Sequence, residues 1–72
     1  NMKVNSSKIE KIILEYCEAE NESFFNFSIA TDRIVYYSLD SIEGDKIQNW
    51  LLENKIKTKL IIEDNAQVFI LK

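Results

Sequence analysis

Apolar residues recur at helical spacing in the first part of the chain, from about Lys8 to Glu20. They form one stripe, made of Ile9, Ile12, Ile13, Tyr16 and Cys17. Spacing of i, i+3, i+4 and i+7 predicts an amphipathic helix with one buried face. Ser7 is followed three residues later by Glu10, which fits a capping box. We therefore expect the helix to begin at these residues.

A second stretch with helical spacing runs from about Ser41 to Glu53. Its apolar stripe consists of Ile47, Trp50 and Leu51, and Trp50 is expected to anchor the helix in the core. Two start signals compete, Asp40 with Glu43 and Asp45 with Gln48. A first turn at Asp40 followed by regular helix from Asp45 satisfies both signals.

Two residues bear on the regularity and the end of this second helix. Gly44 lies inside it, where glycine costs about 1 kcal/mol relative to alanine. Asn54 follows its last residue, and asparagine is one of the residues that can end a helix in the left-handed conformation.

Between the helices, Ser23 to Leu39 alternates apolar and polar residues and predicts a β-hairpin. A two-residue loop at Thr31 and Asp32 would set Phe27 opposite Tyr36. A three-residue loop from Thr31 to Arg33 would set Phe27 opposite Tyr37 instead. We favour the three-residue loop, because it collects six apolar residues on one face: Phe25, Phe27, Ile29, Val35, Tyr37 and Leu39.

A second hairpin is predicted from Ile56 to Lys72, turning at Asp64 and Asn65. Its core-facing residues are expected to be Leu60, Ile62, Val68 and Ile70. The element order is therefore α-β-β-α-β-β in a single domain, residues 1–72. This order predicts an α+β two-layer sandwich with both amphipathic helices packed on one face of a four-stranded sheet.

The other face of that sheet would carry six large apolar residues: Phe24, Ile34, Tyr36, Ile61, Phe69 and Leu71. Soluble monomers rarely expose an apolar patch of this size. One interpretation is a homodimer that packs sheet on sheet, or an error in the assumed strand register. Another is a docking face for a different macromolecule, and a third is harmless scattered exposure.

Composition excludes several kinds of chemistry. Histidine and proline are absent, and there is one cysteine and one glycine. Without histidine there is no Ser-His-Asp triad and no His-ligated metal site. One glycine leaves no glycine-rich phosphate loop, and one cysteine leaves no intramolecular disulfide. We expect no enzyme activity, no cofactor and no metal.

The cysteine and the chain start suggest a cellular location. Cys17 lies on the buried stripe of the first helix, where a lone cysteine usually acts as a small core hydrophobe. Asn1 is interpreted as a residue left by an expression tag and Met2 as the native start. With no signal peptide and no apolar run longer than Val68 to Leu71, we expect a cytoplasmic protein and no membrane partner.

Residue usage points to a low-GC genome. The chain has eight lysines against one arginine, and 34 of its 72 residues are types favoured by AT-rich codons. Small acidic proteins of this kind are common on bacterial phages and plasmids. We therefore expect this protein to be encoded by a low-GC bacterium or by its mobile elements.

Acidic residues cluster near the end of the first helix, at Glu15, Glu18, Glu20 and Glu22. Negative charge at a helix C-terminus opposes the helix dipole by about 0.3–1 kcal/mol per residue. One explanation is a solvated helix face. The other is an acidic docking surface for a basic partner, with Glu15, Glu18 and Glu22 as the contact residues.

Lysines alternate at Lys55, Lys57 and Lys59, at the start of the third strand. Lysines on an edge strand commonly block edge-to-edge aggregation. The competing interpretation places Lys57 and Lys59 on the same face as Tyr36 and Phe69. Aromatic residues beside basic ones on an open sheet can stack the bases of single-stranded nucleic acid.

The leading functional expectation is a small, acidic, non-enzymatic module that binds another protein and acts as an inhibitor or regulator. Its net charge of −3 argues mildly against an electrostatic nucleic-acid binder. The alternative is a nucleic-acid-binding accessory protein that uses the lysines and aromatic residues of the open sheet face. The sequence does not identify the partner.

Overall fold

Two α-helices and four β-strands follow one another in the predicted α-β-β-α-β-β order, which confirms the α+β class. The structure, a computed structural model, describes residues 5–72. Asn1 and Met2, interpreted above as a tag residue and a start, lie outside the described residues. The elements are α1 Ser6–Glu20, β1 Phe27–Ile29, β2 Arg33–Tyr36, α2 Ser41–Glu53, β3 Thr58–Glu63 and β4 Ala66–Leu71, with a 3-10 turn at Phe24–Asn26 before β1.

The first helix begins earlier than the sequence pattern predicted. Asn5 is the N-cap, and its side-chain oxygen accepts a hydrogen bond from the Ser7 backbone N–H at 2.7 Å. The predicted Ser7–Glu10 capping box is therefore wrong, because Ser7 already lies inside the helix. At the other end, Asn21 adopts the left-handed conformation with φ 56°, which ends the helix as asparagine commonly does.

The predicted bounds of the second helix are confirmed. Asp40 is its N-cap and accepts hydrogen bonds from the Ile42 and Glu43 backbone N–H groups, each at 3.1 Å. The expectation that Asn54 is left-handed is wrong, since its φ is −95°. Lys55 takes that conformation instead, with φ 68°.

Trp50 joins the two helices, as its place on the apolar stripe suggested. Its indole N–H donates to the Ile12 carbonyl oxygen at 3.0 Å. The ring also meets Tyr16 edge to face, with 5.6 Å between ring centroids. Trp50 is half-buried and packs against the core, so one side chain supplies both apolar contact and a polar link.

The four strands form one antiparallel sheet in the order β1-β2-β4-β3. Because β4 lies between them, β2 and β3 run parallel without pairing. The predicted turn at Asp64 and Asn65 is confirmed, and both residues are left-handed, with φ 53° and 61°. Two left-handed residues in a two-residue loop match the twist of the flanking strands.

The first hairpin has the two-residue loop and not the three-residue loop that we favoured. Phe27 lies opposite Tyr36, and the Ala30 N–H donates to the Arg33 carbonyl at 2.9 Å across the loop. The favoured register counted Phe25 as a strand residue. Phe25 instead belongs to the 3-10 turn, so its expected pairing with the second strand does not exist.

The faces of β2 and β4 are the reverse of those predicted from the sequence. Ile34 pairs with Phe69, and Val35 with Val68, so these two pairs point to opposite faces. The core combines one sheet face with both helices, and its buried residues are Ile9, Ile12, Ile13, Tyr16, Cys17, Phe27, Ile34, Tyr36, Ile47, Leu51, Ile56 and Phe69. Val35 and Val68 point to the other face of the sheet, where Val68 is nevertheless buried.

Gly44 and Gln67 form a close contact between α2 and the centre of the sheet. Gln67 is 1% exposed, and its side-chain amide donates to the Ser38 and Asp40 carbonyls at 2.9 and 2.8 Å. A Cβ atom on residue 44 would lie 1.9 Å from the Gln67 Oε1 atom. The glycine that the sequence marked only as a cost therefore permits this close approach.

Candidate protein-interaction site

The structure places most of the predicted open-face residues in or against the core. Ile34, Tyr36 and Phe69 are 0%, 4% and 0% exposed, so their predicted position on an open face is wrong. Phe24 and Leu71 are half-buried and pack against the same core. Of the six, the face away from the helices retains Ile61, paired with Val68. The expected large apolar patch on the open face is thus replaced by a smaller aliphatic one.

Lys57 and Lys59 are exposed at the start of β3. Lys59 pairs with Ile70 and shares the open face with Ile61. The aromatic residues expected beside these lysines, Tyr36 and Phe69, point to the opposite face and are buried. Tyr36 and Phe69 therefore do not form, together with Lys57 and Lys59, the exposed surface that base stacking would require.

The acidic residues in and just after the first helix divide into two kinds. Glu15 and Glu18 are exposed along α1. Glu22 is half-buried and accepts hydrogen bonds from the Tyr36 hydroxyl and, at 3.3 Å, from the Asn26 side-chain amide. Glu22 thus fastens the 3-10 turn to β2, which is a structural role that the sequence pattern did not indicate.

A second tyrosine–carboxylate pair joins the helices. The Tyr16 hydroxyl donates a hydrogen bond to the Glu43 carboxylate. The Lys46 Nζ atom lies 2.6 Å from Glu20 Oε1 and 3.9 Å from Glu43 Oε1. Burial is the main cause that raises the pKa of both Tyr16 and Tyr36, and the carboxylate each donates to raises it further. Both phenols therefore stay neutral and act as hydrogen-bond donors at physiological pH.

These two pairs predict a loss of stability at alkaline pH. The pKa of each phenol is raised in the folded protein above its ordinary 10.0. Their contribution to stability is therefore complete below that pH and is lost as pH rises through the folded-state pKa. We expect the free energy of unfolding to fall above about pH 10, and to fall less steeply in Tyr16→Phe and Tyr36→Phe.

Chemical denaturation at a series of pH values measures this effect. The matched control is Tyr37→Phe, since the structure shows no hydrogen bond from this exposed hydroxyl within residues 5–72. An alkaline slope that is the same in wild type and in both core variants would contradict the expectation.

Four large apolar side chains are exposed around the end of β2, and we call them the apolar rim. Phe25 is 94% exposed, Ile42 74%, Tyr37 58% and Leu39 54%. Side chains of this size together present apolar surface on the order of several hundred Å².

The backbone under the apolar rim is held by hydrogen bonds on each segment. The Ser23 hydroxyl caps the 3-10 turn by accepting from the Phe25 N–H at 3.2 Å. The Tyr37 N–H donates to the Asn26 carbonyl at 2.8 Å. The Gln67 side-chain amide holds the segment after β2 by donating to the Ser38 and Asp40 carbonyls. Phe25, Tyr37 and Leu39 are thus exposed on an ordered frame and not on a loose loop.

Carboxylates border the apolar rim. Asp40 and Glu43 flank Ile42 in the first turn of α2, and Glu22 lies just before the 3-10 turn. An apolar centre with a charged border is the usual anatomy of a protein interface. The apolar alternation predicted Phe25, Tyr37 and Leu39 as core residues, so the sequence pattern did not indicate this site. Ser23, a favoured N-cap residue directly before Phe24 and Phe25, was the signal that this segment leaves the strand.

A shallow depression lies at the other end of α2, with a volume of about 250 Å³. Leu52, Ile56, Lys57 and Lys72 contribute to its walls. Typical small-molecule sites range from about 300 to 1,000 Å³ and enclose most of their ligand. This depression is smaller and open.

Comparisons with protein-family models, with curated proteins and with solved structures found no match. Within residues 5–72, no three acidic or cysteine side chains are grouped to hold a metal ion. Neither helix in that part of the chain is long and apolar enough to cross a membrane.

Proposed function

We propose that this protein is a non-enzymatic module that binds another protein through the apolar rim. The observation that carries the proposal is Phe25, which is 94% exposed although its backbone is fixed by a capping hydroxyl. Exposing an aromatic ring on an ordered frame gains nothing for the fold. A partner that buries the ring gains its full apolar area at little cost in conformational entropy.

The surroundings of the apolar rim define the partner's chemistry. Asp40, Glu43 and Glu22 would repel an acidic surface and attract a basic one. The partner is therefore a protein with an apolar cleft that is bordered by lysine or arginine. The protein would act as an inhibitor or regulator by covering that cleft, and its amino-acid usage is consistent with a low-GC bacterium, phage or plasmid.

Substitution of the rim should weaken binding without unfolding the protein. For a partner captured with wild type, we expect Phe25→Ala and Leu39→Ala each to raise the Kd about 30-fold, the effect of losing an interface hot spot. Isothermal titration calorimetry measures this change. Circular dichroism should show both variants folded, because neither side chain is in the core.

Leu52→Ala is the matched control for Leu39→Ala. Leu52 is 52% exposed, against 54% for Leu39, but it lies at the other end of α2. We expect Leu52→Ala to bind as wild type does. Equal affinity for the partner in Phe25→Ala, Leu39→Ala and wild type would contradict the proposal.

A further inference from the structure

The β3 strand is one edge of the sheet and pairs with β4 alone. Glu63 and Ala66 flank the two-residue loop and form the hydrogen-bonded pair that closes such a hairpin. Alternation along the strand then directs the backbone groups of Ile61 and Lys59 toward β4. The backbone N–H and C=O groups of Leu60 and Ile62 point outward, away from the sheet.

Part of this outer edge is already covered. The Thr58 carbonyl accepts a hydrogen bond from the Gln48 side chain at 3.2 Å. Within residues 5–72, no such bond is made to the outward groups of Leu60 and Ile62, and the Ile62 side chain is 63% exposed. An unpaired strand edge of this kind is a template for pairing with another strand.

The charges on β3 are self-complementary. Lys59 and Glu63 are both exposed and lie on the same face of the strand, two residues to either side of Ile61. If a second β3 ran antiparallel to the first, with Ile61 opposite Ile61, each Lys59 would lie opposite a Glu63. Opposite charges in directly facing positions stabilise strand pairing, and like charges oppose it.

We propose that β3 pairs with β3 of a second copy of this chain in that register, giving a homodimer with a continuous eight-stranded sheet. Leu60 of each copy then faces Ile62 of the other, and these are the residues with outward backbone groups. A shift of two residues would place Lys59 opposite Ile61 or Asn65 and lose the ion pair. A shift of one residue would set outward backbone groups against inward ones.

This interface is separate from the apolar rim. The rim belongs to the 3-10 turn, the segment after β2 and the first turn of α2, and the 3-10 turn leads into the opposite edge strand, β1. Pairing through β3 would leave both rims of the dimer accessible. The proposal therefore does not depend on the proposed function.

Charge exchange tests the pairing. Light scattering across a concentration series should show wild type approaching twice its monomer mass of 8.5 kDa. Lys59→Glu alone and Glu63→Lys alone place like charges in both facing positions, so each should stay monomeric. The double variant should regain the dimer. An equimolar mixture of the two single variants should form a heterodimer, because each Glu then faces a Lys.

Val35→Glu serves as the control, since Val35 lies on the open face but in β2, two strands away from the β3 edge. It should dimerise as wild type does. A wild type that stays monomeric throughout the series would overturn the proposal. So would a dimer that survives both single charge variants, and loss of that dimer in Val35→Glu would assign it to sheet-on-sheet packing.

Discussion

Phe69→Asp is expected to unfold the protein, whereas Ile70→Asp is expected to leave it folded. Phe69 is fully buried under the helices. Losing its packing costs about 3–5 kcal/mol, and burying an unpaired carboxylate adds several more. A 72-residue domain has a total stability of about 4–11 kcal/mol, so the sum reaches or exceeds what the fold has.

Ile70→Asp introduces the same carboxylate one residue further along β4, on the opposite face of the sheet. Ile70 is half-buried on the open face and pairs with Arg33 on one side and Lys59 on the other. An aspartate there gains two basic neighbours and keeps access to water. Circular dichroism melts measure the difference. A cooperative melt for Phe69→Asp together with an unfolded Ile70→Asp would show that the faces are reversed.

Gly44→Ala is expected to destabilise the protein by about 1–4 kcal/mol, although alanine is the better helix former by about 1 kcal/mol. The added Cβ would meet the Gln67 side chain, which is buried and held in place by two hydrogen bonds. Moving it would break its hydrogen bonds to the Ser38 and Asp40 carbonyls and leave its own buried amide without these acceptors. Each unsatisfied buried group costs about 1–3 kcal/mol.

A double-mutant cycle with Gln67→Ala isolates this contact. Gln67→Ala alone should be destabilising, because it removes the same two hydrogen bonds. In that background Gly44→Ala should be neutral or stabilising by up to about 1 kcal/mol, since only helix propensity then acts. Urea denaturation of the four proteins measures the coupling. Additive effects would contradict a direct contact between residues 44 and 67.

The sequence predicted the helices and the second turn well, because their signals are local. The apolar stripe and the Asp40 cap fixed the bounds of α2, and the stripe of α1 contains the five residues that the helix buries. Asp64 and Asn65 tolerate the left-handed conformation that their turn requires. At the start of α1 the Ser7–Glu10 pattern predicted the wrong cap, because Asn5 caps the helix.

The strand faces could not be predicted in the same way. Ile34, Val35, Tyr36 and Tyr37 are consecutive apolar residues, so β2 has no polar face from which to infer its orientation. The same holds for Val68 through Leu71 in β4. Tyr36 and Phe69 belong to the core cluster with residues of both helices, while Val35 and Val68 point to the other face. That choice depends on the shape of the assembled core.

The candidate site was missed for a related reason. Counting apolar residues on one face assigned Phe25, Tyr37 and Leu39 to the interior, which is the correct default for such residues. They are exposed because the 3-10 turn takes Phe25 out of the strand and because β2 ends at Tyr36. Residues that depart from a sound folding rule are expected at functional sites.

Amide chemical-shift mapping with the captured partner tests the central claim most directly. Titration of the isotopically labelled protein should perturb the amides of Phe25 and Asn26 and of residues 37–42, which carry the apolar rim. It should leave the amides around Ile61 and Ile70 on the open face unchanged. Perturbations confined to that open face, or to Lys57 and Lys72 in the shallow depression at the other end of α2, would contradict binding through the apolar rim.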